Sequence, residues 1–267
     1  MIFDSKPAII GHRGFGSGNI TVSPAARRAT EAVAEDTVAA DDDTVVAENT
    51  IASLLAAAEA GVSWVEIDVQ RTADDDLVLR HDPTTADGVF LIDGTAADSG
   101  LPRLVDIFAA LPPEVAVDVD VKTILEDAVD SPSRRTGALL LPVLAREARR
   151  RPLLVTSFDP ALLLYLKENL PGVPLGLLTW LSFPLWHGVS AAANLGLQAV
   201  GLHTGSFALD RDDTRIRPLE HSVGIAHRAG LEVMAWCPAA KDAARYAAGG
   251  VDALVVNDIP GVLSALS

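Results

Sequence analysis

The chain has 267 residues, 49% hydrophobic and only 5% aromatic, so its core is built mainly from Ala, Val and Leu. A formal charge of −15 at pH 7 repels phosphate backbones and anionic lipid headgroups, which argues against nucleic acid and membrane surfaces as general partners. The one cysteine, Cys237, rules out an intrachain disulfide and reads as a small buried side chain beside Trp236. No apolar run is long enough for a membrane span, and Met1 to Lys6 shows no basic-then-apolar leader. A single cytoplasmic domain over residues 1–267 is the expectation.

Pro7 to His12 is a short apolar run that closes on His12-Arg13-Gly14, a buried strand with its polar residues at the C-terminal mouth. Residues 15–47 lose this pattern and read as an inserted loop or lid, with a candidate helix over Pro24–Val33 and a solvated acidic run at Asp41–Asp43. Glu48-Asn49-Thr50 then opens a helix, with Asn49 or Thr50 as N-cap. Its apolar face is Ile51, Leu54, Leu55 and Ala58, and Gly61 ends it.

Trp64 to Gln70 reads as a buried strand with two acids at i and i+2. Alternation puts Glu66 and Asp68 on one face and Val65, Ile67 and Val69 on the other. Like charges held close in an apolar strand require a shared proton or a cation. The run Leu77 to Asp82 follows after a link too short for a parallel crossover, so the two runs form a hairpin. That hairpin folds His81 back toward Glu66 and Asp68, with Gln70 and Arg80 as a cross-hairpin pair.

Strand and helix signals alternate from there. Strands are expected at Val115–Val121, Pro152–Thr156, Pro174–Leu178, Ala199–Leu202, Leu231–Trp236 and Ala253–Val256, with helical stretches between and after them. With the Pro7 and Trp64 runs this makes eight parallel strands, the arithmetic of an α/β fold of the (β/α)8 TIM barrel type. The hairpin is an extension after strand 2, and the 15–47 segment is a long loop insertion after strand 1. An open doubly wound sheet is the alternative, but its G-x-G-x-x-G turn is missing. A barrel places chemistry at the C-terminal ends of its strands, where His12, Asp68, Lys122, Ser157, His203, Trp236 and Asn257 fall. Asp118, Asp120 and Lys122 alternate onto one face of the next strand. His187, His221 and His227 read as helix-surface residues with no partner.

Three carboxylates, Glu66, Asp68 and Asp120, without a cysteine ligand suit a hard divalent cation, Mg2+ or Ca2+. Arg13 and Lys122 supply positive charge for a phosphate. His12 and His81 can provide one general acid and one general base. This set describes metal-assisted cleavage of a phosphodiester.

The motifs His12-Arg13-Gly14, Glu48-Asn49-Thr50, Glu66-Ile67-Asp68-Val69 and His81-Asp82, in that order, resemble the glycerophosphodiester phosphodiesterases of the phospholipase-C-like barrel group. The resemblance continues through Asp120-Val121-Lys122, Ser157-Phe158, Trp236 and Asn257-Asp258. It implies hydrolysis of a small-molecule glycerophosphodiester to glycerol 3-phosphate and an alcohol, with a glycerol hydroxyl attacking phosphorus. It also implies His12 and His81 as the acid/base pair, and Glu66, Asp68 and Asp120 as metal ligands. Arg13 and Lys122 would hold the phosphate, Trp236 would wall the glycerol, and Glu48 would lie at the metal or orient a catalytic group. The chain departs from the family pattern in three places. Asp120 stands where Glu is usual; residues 15–47 separate two motifs that normally lie close together, with Ala47 where Pro precedes the Glu; and the stretch between His81 and Leu104 is short and lacks the family's usual Arg-Thr-Thr. Two alternatives stay open. One is a phosphodiesterase of the same barrel group acting on a lysophospholipid or sphingolipid headgroup, with Leu181, Phe183, Leu185 and Trp186 as an apolar rim. The other is a non-catalytic phosphate-ligand-binding homologue.

Overall fold

The computed structural model describes residues 1–16, 47–181, 183–207 and 217–267. The candidate helix Pro24–Val33 and the acidic run Asp41–Asp43 lie outside them. The strands are β1 (Ala8–Gly11), β2 (Trp64–Arg71), β3 (Leu77–Leu79), β4 (Ala116–Val121), β5 (Leu153–Ser157), β6 (Leu175–Leu178), β7 (Ala199–His203), β8 (Glu232–Trp236) and β9 (Ala253–Val256). Each except β3 pairs in parallel with its neighbours, and β1 pairs with both β9 and β2, so the sheet closes into an eight-stranded barrel. Closure eliminates the open-sheet alternative. The intervening helices are α1 (Ile51–Glu59), α2 (Leu104–Ala110), α3 (Thr136–Glu147), α4 (Pro160–Asn169), α5 (Leu185–Leu195), α6 (Leu219–Arg228), α7 (Ala243–Ala248) and α8 (Ile259–Leu266).

Alternation along the strands divides the core into two parts. Outward-facing Val65, Ile67, Val117, Val119, Val155, Val200, Val233 and Leu254 pack beneath the helices. Inward-facing Ile10, Trp64, Ala116, Leu154, Met234 and Ala253 fill the barrel's lower interior, and Phe3 joins them there. The Phe3 ring meets Trp64 edge-on at 5.3 Å. That packed floor leaves only the upper layers available for polar residues.

β3 pairs antiparallel with the end of β2, Val69 opposite Leu79 and Arg71 opposite Leu77, which forms the hairpin read from the sequence. Because β3 extends the pairing, β2 runs on to Arg71, and Asp68 sits inside the strand rather than at its end. The proposed cross-hairpin pair does not form. Gln70 Nε2 donates to the His81 carbonyl at 2.9 Å, and Arg80 Nε donates to the Thr84 carbonyl. Thr50 caps α1, accepting from Ser53 N at 3.2 Å. Among the described residues no helix is long and apolar enough to cross a membrane.

Candidate active site and metal-binding cluster

The site begins where β1 ends. Arg13 sits in the left-handed region at φ 54° and Gly14 at φ 91°, a turn that reverses the chain within His12-Arg13-Gly14. A Cβ on Gly14 would stand 2.4 Å from Ser53 Oγ, so only glycine fits there. Helix α1 clamps the turn: Ser53 Oγ donates to the Arg13 carbonyl and accepts from Phe15 N, and Asn49 N donates to the same carbonyl. The turn thereby aims the Arg13 amide at Glu66 Oε2, 2.7 Å away.

Register then assembles the acids. Across the β2–β4 pair Glu66 lies opposite Asp118 and Asp68 opposite Asp120, so four buried carboxylates face the upper barrel. Oxygens of Glu66, Asp68 and Asp120 lie within 4.8 Å of one another. Two cations neutralise part of this charge. Lys122 Nζ contacts Asp120 and lies 2.9 Å from Asp68 Oδ1. Arg13 Nε stands 3.2 Å from Asp68 Oδ2, at ion-pair distance but without hydrogen-bond alignment. Asn49, itself at φ 58°, pins Asp68 twice, donating from Nδ2 to Oδ2 at 2.8 Å and accepting from the Asp68 amide at 3.0 Å.

The titrations follow from burial and these neighbours. Burial, then the charges of Asp68 and Asp120, pushes the Glu66 carboxyl well above its ordinary range. Burial also lifts Asp120, against Lys122, to about 6. Burial works against Asp68 as well, but Lys122 and then Arg13 hold it below the usual carboxylate value. Asp118 is raised well above its usual value by burial and then by Glu66, while Thr156 Oγ1 donates to it at 2.9 Å. Buried Asp120 Oδ1 has no hydrogen-bond partner in the structure. An unpartnered carboxylate oxygen in a crowded three-acid cluster is what a hard divalent cation would satisfy, so the donor set fits one.

His12 and His81 line one cavity of about 520 Å³ with Arg13, Glu66, Asp68, Asp120 and Lys122. His12 Nδ1 is 2.5 Å from Asn257 Oδ1, which places the proton on Nδ1 and leaves Nε2 facing Glu66 Oε2 at 3.9 Å. Burial disfavours the His12 imidazolium, but Cys237 and Asn257 outweigh it and displace the pKa upward. His81 Nδ1 is held by Asp82 Oδ1 at 2.8 Å. Aromatic rings form the opposite wall. Phe158 stacks on Trp180 at 4.5 Å and meets Trp236 edge-on at 6.3 Å.

The structure thus brings His12, Arg13, Glu66, Asp68, His81, Asp120, Lys122 and Trp236 around one cavity. Glu48 sits beside Arg13. Its Oε1 accepts from the Arg13 guanidinium at 2.9 Å, and its carboxylate is not part of the three-acid cluster. His203 does not line the cavity; its ring packs against Trp236 at 4.4 Å. Cys237 is half-buried rather than a core residue, because φ 58° turns it toward His12, with Sγ 3.9 Å from Nδ1. His227 has a partner after all, Asp252 Oδ2 at 2.8 Å. Sequence reasoning missed the pinning role of Asn49, which looked like a helix cap, and the aromatic wall of Phe158 and Trp180, which carries no spacing signal.

The sequence profile of the glycerophosphoryl diester phosphodiesterase family matches residues 12–96 and 92–260. The chain belongs to this family. No curated protein sequence matches it. Solved structures share the fold at low identity. An Oleispira antarctica phosphodiesterase in complex with the product sn-glycerol-3-phosphate is 21% identical, with a TM-score of 0.72 over 98% of this chain and 97% of that one. A glycerophosphodiester phosphodiesterase from Parabacteroides distasonis is 18% identical, with a TM-score of 0.70 over 98% of both chains. One from Thermotoga maritima is 17% identical, with a TM-score of 0.67 over 98% and 99%. The family is one of phosphoric diester hydrolases, and that is this chain's enzyme class.

Proposed function

We propose that this cavity hydrolyses glycerophosphodiesters to glycerol 3-phosphate and an alcohol, with a divalent cation at Glu66, Asp68 and Asp120. The observation that carries the reading is the meeting of that cluster with two histidines and two cations in one cavity. The glycerol 3-phosphate product bound by the Oleispira antarctica relative supports the same substrate class. When bound, the cation, Mg2+ or Ca2+, would polarise the phosphoryl group as a Lewis acid.

Arg13 and Lys122 hold the non-bridging oxygens, each already oriented by the carboxylate it faces. Neutral His12, with its proton on Nδ1, offers Nε2 as a base for the hydroxyl that attacks phosphorus. His81, oriented by Asp82, protonates the departing alcohol. Glu48 acts through Arg13, fixing the guanidinium toward Asp68. Trp236 offers glycerol an apolar wall. Release of glycerol 3-phosphate from glycerophosphocholine, followed after dialysis against EDTA and after return of Mg2+ or Ca2+, tests this. Release that disappears with EDTA and returns with a cation is expected. Release indifferent to EDTA would remove the cation from the proposal, and no release under any cation from folded protein would end it.

A further inference from the structure

A second cavity of about 450 Å³ opens beside the catalytic one, and the two share His81 and Lys122. It lies between the segment after β3, with Phe90, Leu91 and Asp93, and the segment after β4, with Ile124 and Glu126. In the reaction above His81 protonates the departing alcohol. The cavity that His81 shares, and that holds none of the three clustered acids, is therefore where that alcohol comes to lie.

Gln70 forms part of its inner wall. The residue is 3% exposed and follows Glu66 and Asp68 on the same face of β2, nearer the mouth of the barrel. The His81 carbonyl can only accept, so the end of the Gln70 amide that meets it at 2.9 Å is the NH2, and Oε1 is turned the other way. That oxygen accepts no hydrogen bond among the described residues, and neither do the carboxylates of Asp93 and Glu126. The donors nearby are committed. Lys122 Nζ serves Asp68 and Asp120, and Arg71 gives Nη1 and Nη2 to the Arg134 carbonyl and Asp130, its Nε being buried. Open acceptors, two of them charged, between apolar walls call for a ligand that brings N–H groups and positive charge. A quaternary ammonium brings the charge without the N–H, and a polyol brings donors without the charge. An alcohol with its own carboxylate would be repelled by Asp93 and Glu126.

Resting on the hydrolase reading above, we propose that this second cavity is the leaving-group subsite and takes an alcohol carrying a primary ammonium, held by Gln70 Oε1, Asp93 and Glu126. Phe90, 53% exposed, and Ile124 flank the carbon spacer between ammonium and phosphate. The net reaction adds one water. The phosphorus–oxygen bond to the amino alcohol breaks, the alcohol oxygen takes a proton, and glycerol 3-phosphate keeps the water oxygen.

The test compares kcat/KM for release of glycerol 3-phosphate from glycerophosphoethanolamine, glycerophosphocholine and glycerophosphoglycerol, in the same divalent cation, by wild type and by an Asp93→Asn, Glu126→Gln double variant. Choline is the strict control, with the same charge and no N–H. A hydrogen bond between charged partners is worth about tenfold, so glycerophosphoethanolamine should lead both other compounds by roughly tenfold in wild type. Its lead over glycerophosphoglycerol should shrink to within about threefold in the double variant. Salt at about 0.5 M should erode the same lead in wild type, because solvent reaches both carboxylates. Equal rates for the three compounds in wild type would overturn the proposal. So would a lead for glycerophosphocholine, or a lead for glycerophosphoethanolamine that survives both the double substitution and the salt. Failure of all three compounds would instead overturn the hydrolase reading beneath it, and the proposal with it.

Discussion

Asn49 holds the acid cluster through backbone and side chain together, and replacing it separates the two contributions. Asn49→Ala removes the donor to Asp68 Oδ2 and the acceptor for the Asp68 amide, both buried. A lost hydrogen bond to a charged group costs about 1.5–3 kcal/mol, and an orphaned buried amide about 1–3 kcal/mol. Asp68 keeps Lys122 and Arg13, which favours the lower half of those ranges, so a loss of roughly 3 kcal/mol is expected. Alanine at φ 58° adds about 1–2 kcal/mol that glycine avoids. Asn49→Gly should therefore be the milder variant by about 1 kcal/mol. Urea unfolding of both variants reads the stabilities, and calorimetric titration with Ca2+ reads the cluster. Both variants should bind the cation roughly 10- to 100-fold more weakly, because Asp68 is no longer oriented. Stability losses under about 1 kcal/mol, or an alanine variant as stable as the glycine one, would refute the reasoning.

Other consequences concern the neighbouring groups. Asp118 binds a proton more tightly in the folded chain than unfolded, so its contribution is greatest below the unfolded pKa and is lost as pH rises through the folded one. Asp118→Asn keeps an acceptor for Thr156 and cannot ionise. It should be more stable than wild type at pH 8, with no gain near pH 4 in matched urea titrations. A gain independent of pH would contradict this. Because Asp120 stands at about 6 and Glu66 also titrates high, binding Ca2+ or Mg2+ near pH 6 should release protons. Calorimetry in buffers of different ionisation enthalpy would show it, and a buffer-independent heat would count against these three ligands. Gly14→Ala should cost about 3 kcal/mol from its positive φ and the Ser53 contact, read as a lower urea midpoint; a neutral result would contradict the turn geometry.

The barrel was legible because its signals repeat. Each strand alternates hydrophobic faces, and register follows from that alternation, so Glu66, Asp68 and Asp120 could be put together from spacing alone. The hairpin was legible from a link too short to cross over. What stayed hidden depends on backbone angles or on contacts distant in sequence. Asn49, Arg13 and Cys237 take positive φ, which no side-chain pattern announces, and that is why Cys237 faces His12 instead of the core. The His227 contact with Asp252 spans a helix and a strand start, and no periodicity reports such a pairing. Trp180, Phe183 and Trp186 are apolar residues near the start of a helix, and sequence cannot tell an exposed rim from a buried face. Leu185, expected with them, went to the core.

The central claim is that His12 and a divalent cation act in one cavity on one phosphodiester. The most direct measurement is release of glycerol 3-phosphate from glycerophosphocholine, in Ca2+ or Mg2+ and in EDTA, by wild type beside a His12→Ala variant shown to be folded. Cation-dependent release by wild type, reduced at least about a hundredfold in the variant, is the expected result. Equal release by the two proteins, or none by wild type in either cation, would contradict it.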